Sequence, residues 1–136
     1  MGNSLCLCRA LSIYEFKSDR LLGGYLDLPH GLCNAALVEH VVAFNYSAAP
    51  ERFKVIAETF GIDCRGLTQG QVRQRLVDHL IAFKHAVGFH ESLALHGVGS
   101  SDIPFLSRHA MQDPCILTNP RESSQRDVEV VYGEAL

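Results

Sequence analysis

Seven histidines and five cysteines are the side chains of this 136-residue chain best suited to hold a metal or to act as nucleophiles. The histidines stand at positions 30, 40, 79, 85, 90, 96 and 109. A helix presents two ligands together when they lie three or four residues apart, and no pair here has that separation. Neither HExxH nor ExxH occurs. Glu39 beside His40, and Asp78 beside His79, are sequence neighbours and so point to different sides of their helices. Local sequence therefore builds no self-contained metal site.

Taken singly, His40 falls on an apolar stripe and reads as a hydrogen-bonded core histidine. His79, His85, His90, His96 and His109 read as partly exposed surface or loop residues. His30 has a different context. Gly23-Gly24 precede it, Gly31 follows it, and Pro29 fixes the backbone just ahead. Those residues alone leave open whether it is a ligand or an ordinary turn histidine. The cysteines (Cys6, Cys8, Cys33, Cys64 and Cys115) are odd in number and widely spaced. They make no CxxC pair and no zinc-finger spacing, which points to a reducing cytoplasm. The start MGNSLC has Cys6 where the myristoylation pattern wants Ser or Thr. It also lacks the basic and apolar regions of a signal peptide, so a plain cytosolic start is expected.

Hydrophobic residues make up 47% of the chain and charged residues 20%, an ordinary globular balance for one domain. The net charge is −3 and the twelve Lys and Arg are scattered, so nothing suggests nucleic acid. No window reaches the roughly 18 uninterrupted apolar residues of a membrane span.

The expected fold is all-α, a bundle of about five helices. Residues Cys33, Ala36, Leu37, His40, Val41 and Phe44 form an apolar stripe at three- and four-residue spacing. After a break at residues 47–50, Pro50 suits the first turn of a second helix with Phe53, Ile56 and Phe60 inward and Gly61 as its stop. Thr68 and Gln71 form a capping box that opens the third and longest helix. Val72, Leu76, Leu80, Phe83 and Val87 are its inward residues, and Gly88 closes it. Asp102 and Pro104 start a fourth helix, IPFLSRHAMQD. A second box, Ser124 to Asp127, opens the last, with Val128, Val131, Tyr132 and Ala135 inward. No hairpin signal occurs. Residues 1–21 lack clean periodicity and could be a short helix, a strand or a poorly ordered lead-in.

The run LGGYLDLPHGLCNAALVEHVVAFNYSAAPERFKVIAETFGID, together with DIPFLSRHAMQDPCILTNPRESSQRDVEVVYGEAL near the end, resembles the iron-containing alcohol dehydrogenases. The likeness is to their group III members, the methanol and propanediol dehydrogenases, and covers residues 22–136. It implies the family's C-terminal helical, metal-site domain, with residues 1–21 as a divergent segment. The resemblance further implies NAD(P)-dependent oxidation of a small alcohol, or reduction of its aldehyde, at Fe(II) or Zn(II) acting as a Lewis acid. In the family an Asp and three His hold the metal, and His30 matches the histidine of the Pro-His-Gly motif. Cys115, in DPCILTNPR, matches a position lining the substrate cavity; a small buried filler is the equal alternative. Asn119, Pro120 and Arg121 fix the turn before the last helix, while Tyr25 and Asp27 gain no chemical role.

Counted back from Leu22 without gaps, the family's next two active-site histidines fall on Phe16 and Arg20, and neither can bind a metal. The Gly-rich phosphate loop of the cofactor half has no counterpart here. A catalytic metal needs about three protein ligands and an open position. The expectation is therefore a truncated alcohol dehydrogenase, inactive alone and binding neither metal nor NAD(P) tightly. It would be completed by a separate cofactor-domain chain or paired as a homodimer. A non-catalytic helical binding or oligomerisation domain is the alternative.

Overall fold

A computed structural model describes residues 30–136, and among these the chain forms five α-helices and no strand. The readings made for residues 1–21, and for Phe16, Arg20, Tyr25 and Asp27, lie outside the described residues. Helix α1 runs His30–Asn45, α2 Pro50–Thr59, α3 Gln69–Ala86, α4 Ile103–Ala110 and α5 Gln125–Glu134. Three 3-10 turns, Tyr46–Ala48, Leu93–His96 and Pro114–Thr118, lie between them.

Local chemistry sets most of the boundaries. Thr68 and Gln71 cap each other's backbone amides at the start of α3, and Ser124 and Asp127 do the same for α5. Pro50 occupies the first position of α2, where its missing N–H costs nothing. Gly61 ends α2 with φ +83°, and the Gly61 and Ile62 amides donate back to Glu58 and Ala57 carbonyls at 2.9 and 3.0 Å. That pattern needs a left-handed residue, which glycine supplies without a Cβ penalty. Asp102 precedes α4 but does not cap it; its Oδ2 accepts the Gly99 amide at 2.8 Å and holds the turn ahead.

Helix α1 is the organising element, packed against α3 on one side and α5 on the other. Its sixteen residues are about 24 Å long at 1.5 Å per residue. Cys33, Ala36, Leu37 and Val41 face a larger core shared with Leu93, Val98, Ile103, Leu106, Ala110, Val128, Val131, Tyr132 and Ala135. A smaller core joins Tyr46, Phe53, Ala57, Cys64, Val72 and Leu76 where α2 meets α3. Burial pushes the Tyr46 phenol above its ordinary pKa, with the charges of Cys64 and Glu51 adding to the effect.

The inner face expected of α5 is buried as read, and that of α1 is buried except at His40 and Phe44, which are half-buried. Those of α2 and α3 are buried only in part. Ile56 on α2 and its cap residue Phe60 are exposed, as are Phe83 and the α3 cap residue Val87. Ala57, not Ile56, closes α2 against α3. Along the end of α3 it is Lys84, not Phe83, that is buried, against Glu39 of α1, so the apolar stripe continues into solvent. Helix α4 is also shorter than expected, ending at Ala110, with residues 111–113 turning toward Pro114.

Candidate functional site

His30 is the first residue of α1, the helix with the most neighbours in the fold. Its backbone therefore starts on a fixed axis; its side chain lies outside the described residues. Cys115 is in the 3-10 turn Pro114–Thr118, and its side chain is likewise outside them. Each of the two is thus placed by its backbone alone.

What fixes α1 is visible at its other end. The Asn45 amide donates to Asn119 Oδ1 at 2.9 Å, and Asn119 Nδ2 donates back to Asn45 Oδ1 at 2.8 Å. Both residues are buried, and Asn119 Nδ2 also reaches the Arg121 carbonyl at 2.7 Å. Arg121 lies over the Phe44 ring, 4.1 Å from its centroid, and donates to the Phe44 carbonyl at 3.3 Å. From α3, Arg73 Nε donates to the Ala43 carbonyl at 3.0 Å. Helix α1 has no basic residue of its own in its last turn. Two arginines from elsewhere thus satisfy its terminal carbonyls and offset the negative end of its dipole.

The Thr-Asn-Pro-Arg block consequently does more than shape the turn before α5. It latches that turn, and with it the segment carrying Cys115, to the far end of the helix that begins at His30. A half-open cleft of about 250 Å³ lies beside the latch, lined by Phe44, Arg73, Arg121, Asp127 and Glu134 among others. Asp127 is held below the ordinary carboxylate pKa mainly by hydrogen bonds from Ser124, with Arg121 adding a smaller effect. Both arginines lining the cleft are already engaged by α1. Asn119→Ala removes the paired amide bonds and is expected to cost about 2 kcal/mol, measured by urea denaturation; a loss under about 0.5 kcal/mol would mean the latch is incidental.

A second polar group sits midway along α1. Glu39 is buried and accepts from Lys84 Nζ at 2.5 Å, and both side chains are about nine-tenths covered. His40 Nε2 lies 3.7 Å from the same Glu39 oxygen, and His40 Nδ1 lies 3.9 Å from Glu134 Oε2. His40 is accordingly a half-buried boundary residue between two carboxylates, not a hydrogen-bonded core histidine. Glu39 and His40 also converge, against the expectation that sequence neighbours point apart: the long glutamate stem brings its oxygen round to the imidazole. Sequence reasoning missed this group because Lys84 is 45 residues away.

The fit of a catalytic metal can be tested on the donor set. Among the described residues, no group of three or more His, Cys, Asp or Glu side chains is placed to hold a metal ion. His40 has carboxylates on opposite ring nitrogens, one of them committed to Lys84, so the group does not converge on one point. The described residues do not by themselves build a catalytic metal centre. Also among them, no helix is long and apolar enough to cross a membrane.

Residues 16–136 match the sequence profile described as the Fe-containing alcohol dehydrogenase family, C-terminal. The chain belongs to this family. The match opens at residue 16, ahead of Leu22, where the motif-based resemblance opens. The chain is 31% identical over 122 residues to the 1,3-propanediol dehydrogenase of Klebsiella pneumoniae, covering 90% of this chain and 32% of that protein. It is 35% identical over 115 residues to the NAD-dependent methanol dehydrogenase of Bacillus methanolicus, covering 85% and 30% respectively. A crystal structure of a 1,3-propanediol oxidoreductase superposes with a TM-score of 0.82 at 26% identity, covering 100% of this chain and 33% of that one. The five helices are thus the C-terminal helical domain of the iron-containing alcohol dehydrogenases, and the chain spans about a third of the length of these relatives.

Proposed function

We propose that this chain is the helical domain of an NAD(P)-dependent dehydrogenase for a small alcohol or its aldehyde, working in the cytoplasm. In this reading His30 is one ligand of an Fe(II) or Zn(II) ion, and Cys115 borders the substrate cavity. The observation that supports it best is the superposition of the whole chain on one third of a 1,3-propanediol oxidoreductase, with a Pro-His-Gly motif at the start of α1. When bound, such a metal supplies Lewis-acid activation of the alcohol oxygen. The contribution of this chain's own residues is positional: the latch from Asn119 and Arg121 to α1 sets the axis on which His30 begins.

One imidazole falls short of the roughly three protein ligands a catalytic site uses. Residues 1–136 are therefore expected not to turn over alcohols alone. A cofactor-binding portion, in the same polypeptide or in another chain, must supply NAD(P) and the remaining ligands. The test is an anaerobic calorimetric titration of the 136-residue chain with Fe(II), and separately Zn(II), beside His30→Ala and an NAD+ reduction assay with methanol and propanediols. The expected outcome is weak binding that His30→Ala leaves unchanged, and no NADH. One sub-micromolar site lost in His30→Ala, or NADH formed by the chain alone, would overturn the inactivity.

A second reading has its own observation. Phe60, the cap residue of α2, contacts His79 with ring centroids 5.1 Å apart, and residues 79 and 83 of α3 and its cap residue 87 follow along one line. Phe60, Phe83 and Val87 are 46%, 57% and 64% exposed. A stripe of this kind favours a domain that covers it with a second copy of itself. A monomer by sedimentation at tens of micromolar would exclude that.

A further inference from the structure

The bend that closes α3 carries two histidines that neither the fold nor the proposed activity uses. The His85 and His90 rings lie with centroids 4.7 Å apart and planes tilted by 34°, and both residues are exposed. We propose that His85 and His90 form a two-imidazole chelate for a borderline divalent cation, Cu(II) ahead of Ni(II) and Zn(II), using neither His30 nor the latch.

The backbone between the two rings is fixed. Gly88 is left-handed at φ +83°, its amide donates to the His85 carbonyl at 3.0 Å, and the Phe89 amide donates to the Lys84 carbonyl at 2.9 Å. This doubly bonded helix ending holds its residues in one geometry. Each histidine moreover follows an anchored neighbour. Lys84, before His85, is tied to Glu39 at 2.5 Å, and Phe89, before His90, packs on the larger core. Lys84 Nζ also sits 5.2 Å from the Phe89 ring centroid, so the two anchors touch. The imidazoles are thus delivered to the same patch of surface before any ion arrives, which lowers the entropic cost of chelation.

A neutral imidazole offers one nitrogen lone pair, and a metal takes each at about 2.0–2.1 Å. Rings already 4.7 Å apart reach that arrangement by side-chain rotation alone. The nearest acid in sequence, Glu91, is held by His96, whose Nε2 lies 2.5 Å from Glu91 Oε2. Among the described residues no third ligating side chain joins the pair, so water fills the other positions. Two nitrogens with water oxygens suit tetragonal Cu(II) or Ni(II) better than a closed tetrahedral zinc site, and Cu(II) also leads in intrinsic affinity.

The test uses the full chain carrying His30→Ala, so that its result is independent of the reading of His30. One equivalent of Cu(II) is added at neutral pH, and pulsed electron paramagnetic resonance counts the equatorial imidazoles while calorimetry gives the affinity. The starting chain is expected to show two imidazoles, and His85→Gln or His90→Gln alone to show one, with affinity weaker by about tenfold or more. The double variant is expected to lose the site, and Cu(II) no longer to raise its melting temperature. Both side chains are exposed, and unchanged far-ultraviolet circular dichroism checks the fold. A two-imidazole species that persists in the double variant, or its absence from the starting chain, overturns the proposal.

Discussion

Lys84→Met is expected to destabilise the chain by about 3 kcal/mol, although methionine nearly matches the lysine stem in size. The ammonium is the close partner of Glu39, at 2.5 Å, and the two side chains are only 11% and 10% exposed. Removing it leaves a carboxylate on α1 facing α3 with little water. His40 is an incomplete replacement because its Nε2 lies 3.7 Å from the Glu39 oxygen, against 2.5 Å for the ammonium. Removing both charges is different. Glu39→Leu with Lys84→Met is expected to return within about 1 kcal/mol of the parent, because neither desolvation penalty then remains. Urea denaturation of the four proteins in a double-mutant cycle measures this. A single variant within about 0.5 kcal/mol of the parent would show that water reaches Glu39 and the pair is a surface bridge.

Tyr132→Ala should be the most damaging truncation, at about 4 kcal/mol, a large share of the roughly 5–15 kcal/mol that a domain possesses. Tyr132 is fully buried on α5 and is the largest such side chain among the described residues. It belongs to the core that joins α5 to α1 and α4, so its loss opens a cavity whose walls come from three helices and cannot collapse together. Val130→Ala, two residues away and 48% exposed, is expected to change stability by no more than about 0.5 kcal/mol. Thermal or urea melts of the two variants make the comparison. Equal effects would mean that α5 is not seated as described.

Features that depend on neighbours three or four residues apart were legible in the sequence. Both capping boxes form between the residues read for them, Gly61 and Gly88 end their helices, and Val128, Val131, Tyr132 and Ala135 all face inward. The family followed from Pro29-His30-Gly31 and from Thr118 to Arg121, short motifs whose residue types are specific together. Periodicity failed where it had to choose how far a face is covered. Phe83 and Val87 continue the spacing of Val72 and Leu76, but a repeat carries no information on which side chains of a turn a neighbouring helix covers. The Glu39–Lys84 bridge and the Asn45–Asn119 pair join residues 45 and 74 positions apart, and no local pattern encodes such partners. At the candidate site, the sequence placed His30 in a turn just ahead of an apolar stripe, whereas it is the first residue of α1; the latch that holds the helix's other end joins distant residues and was not legible.

The division of the interior into two cores has a consequence for synthesis. The buried residues of the smaller core all fall within 46–76, and those that pack against it within 42–80, so a chain still emerging from the ribosome can complete it early. The larger core draws Cys33 to Val41 from one end and Val128 to Ala135 from the other. Until that last helix emerges, Leu37 and Val41 have no partner on α5, and the amide of Asn45 waits for Asn119. A nascent chain at this stage presents an apolar helix beside a finished one, the kind of surface that chaperones hold and proteases cut.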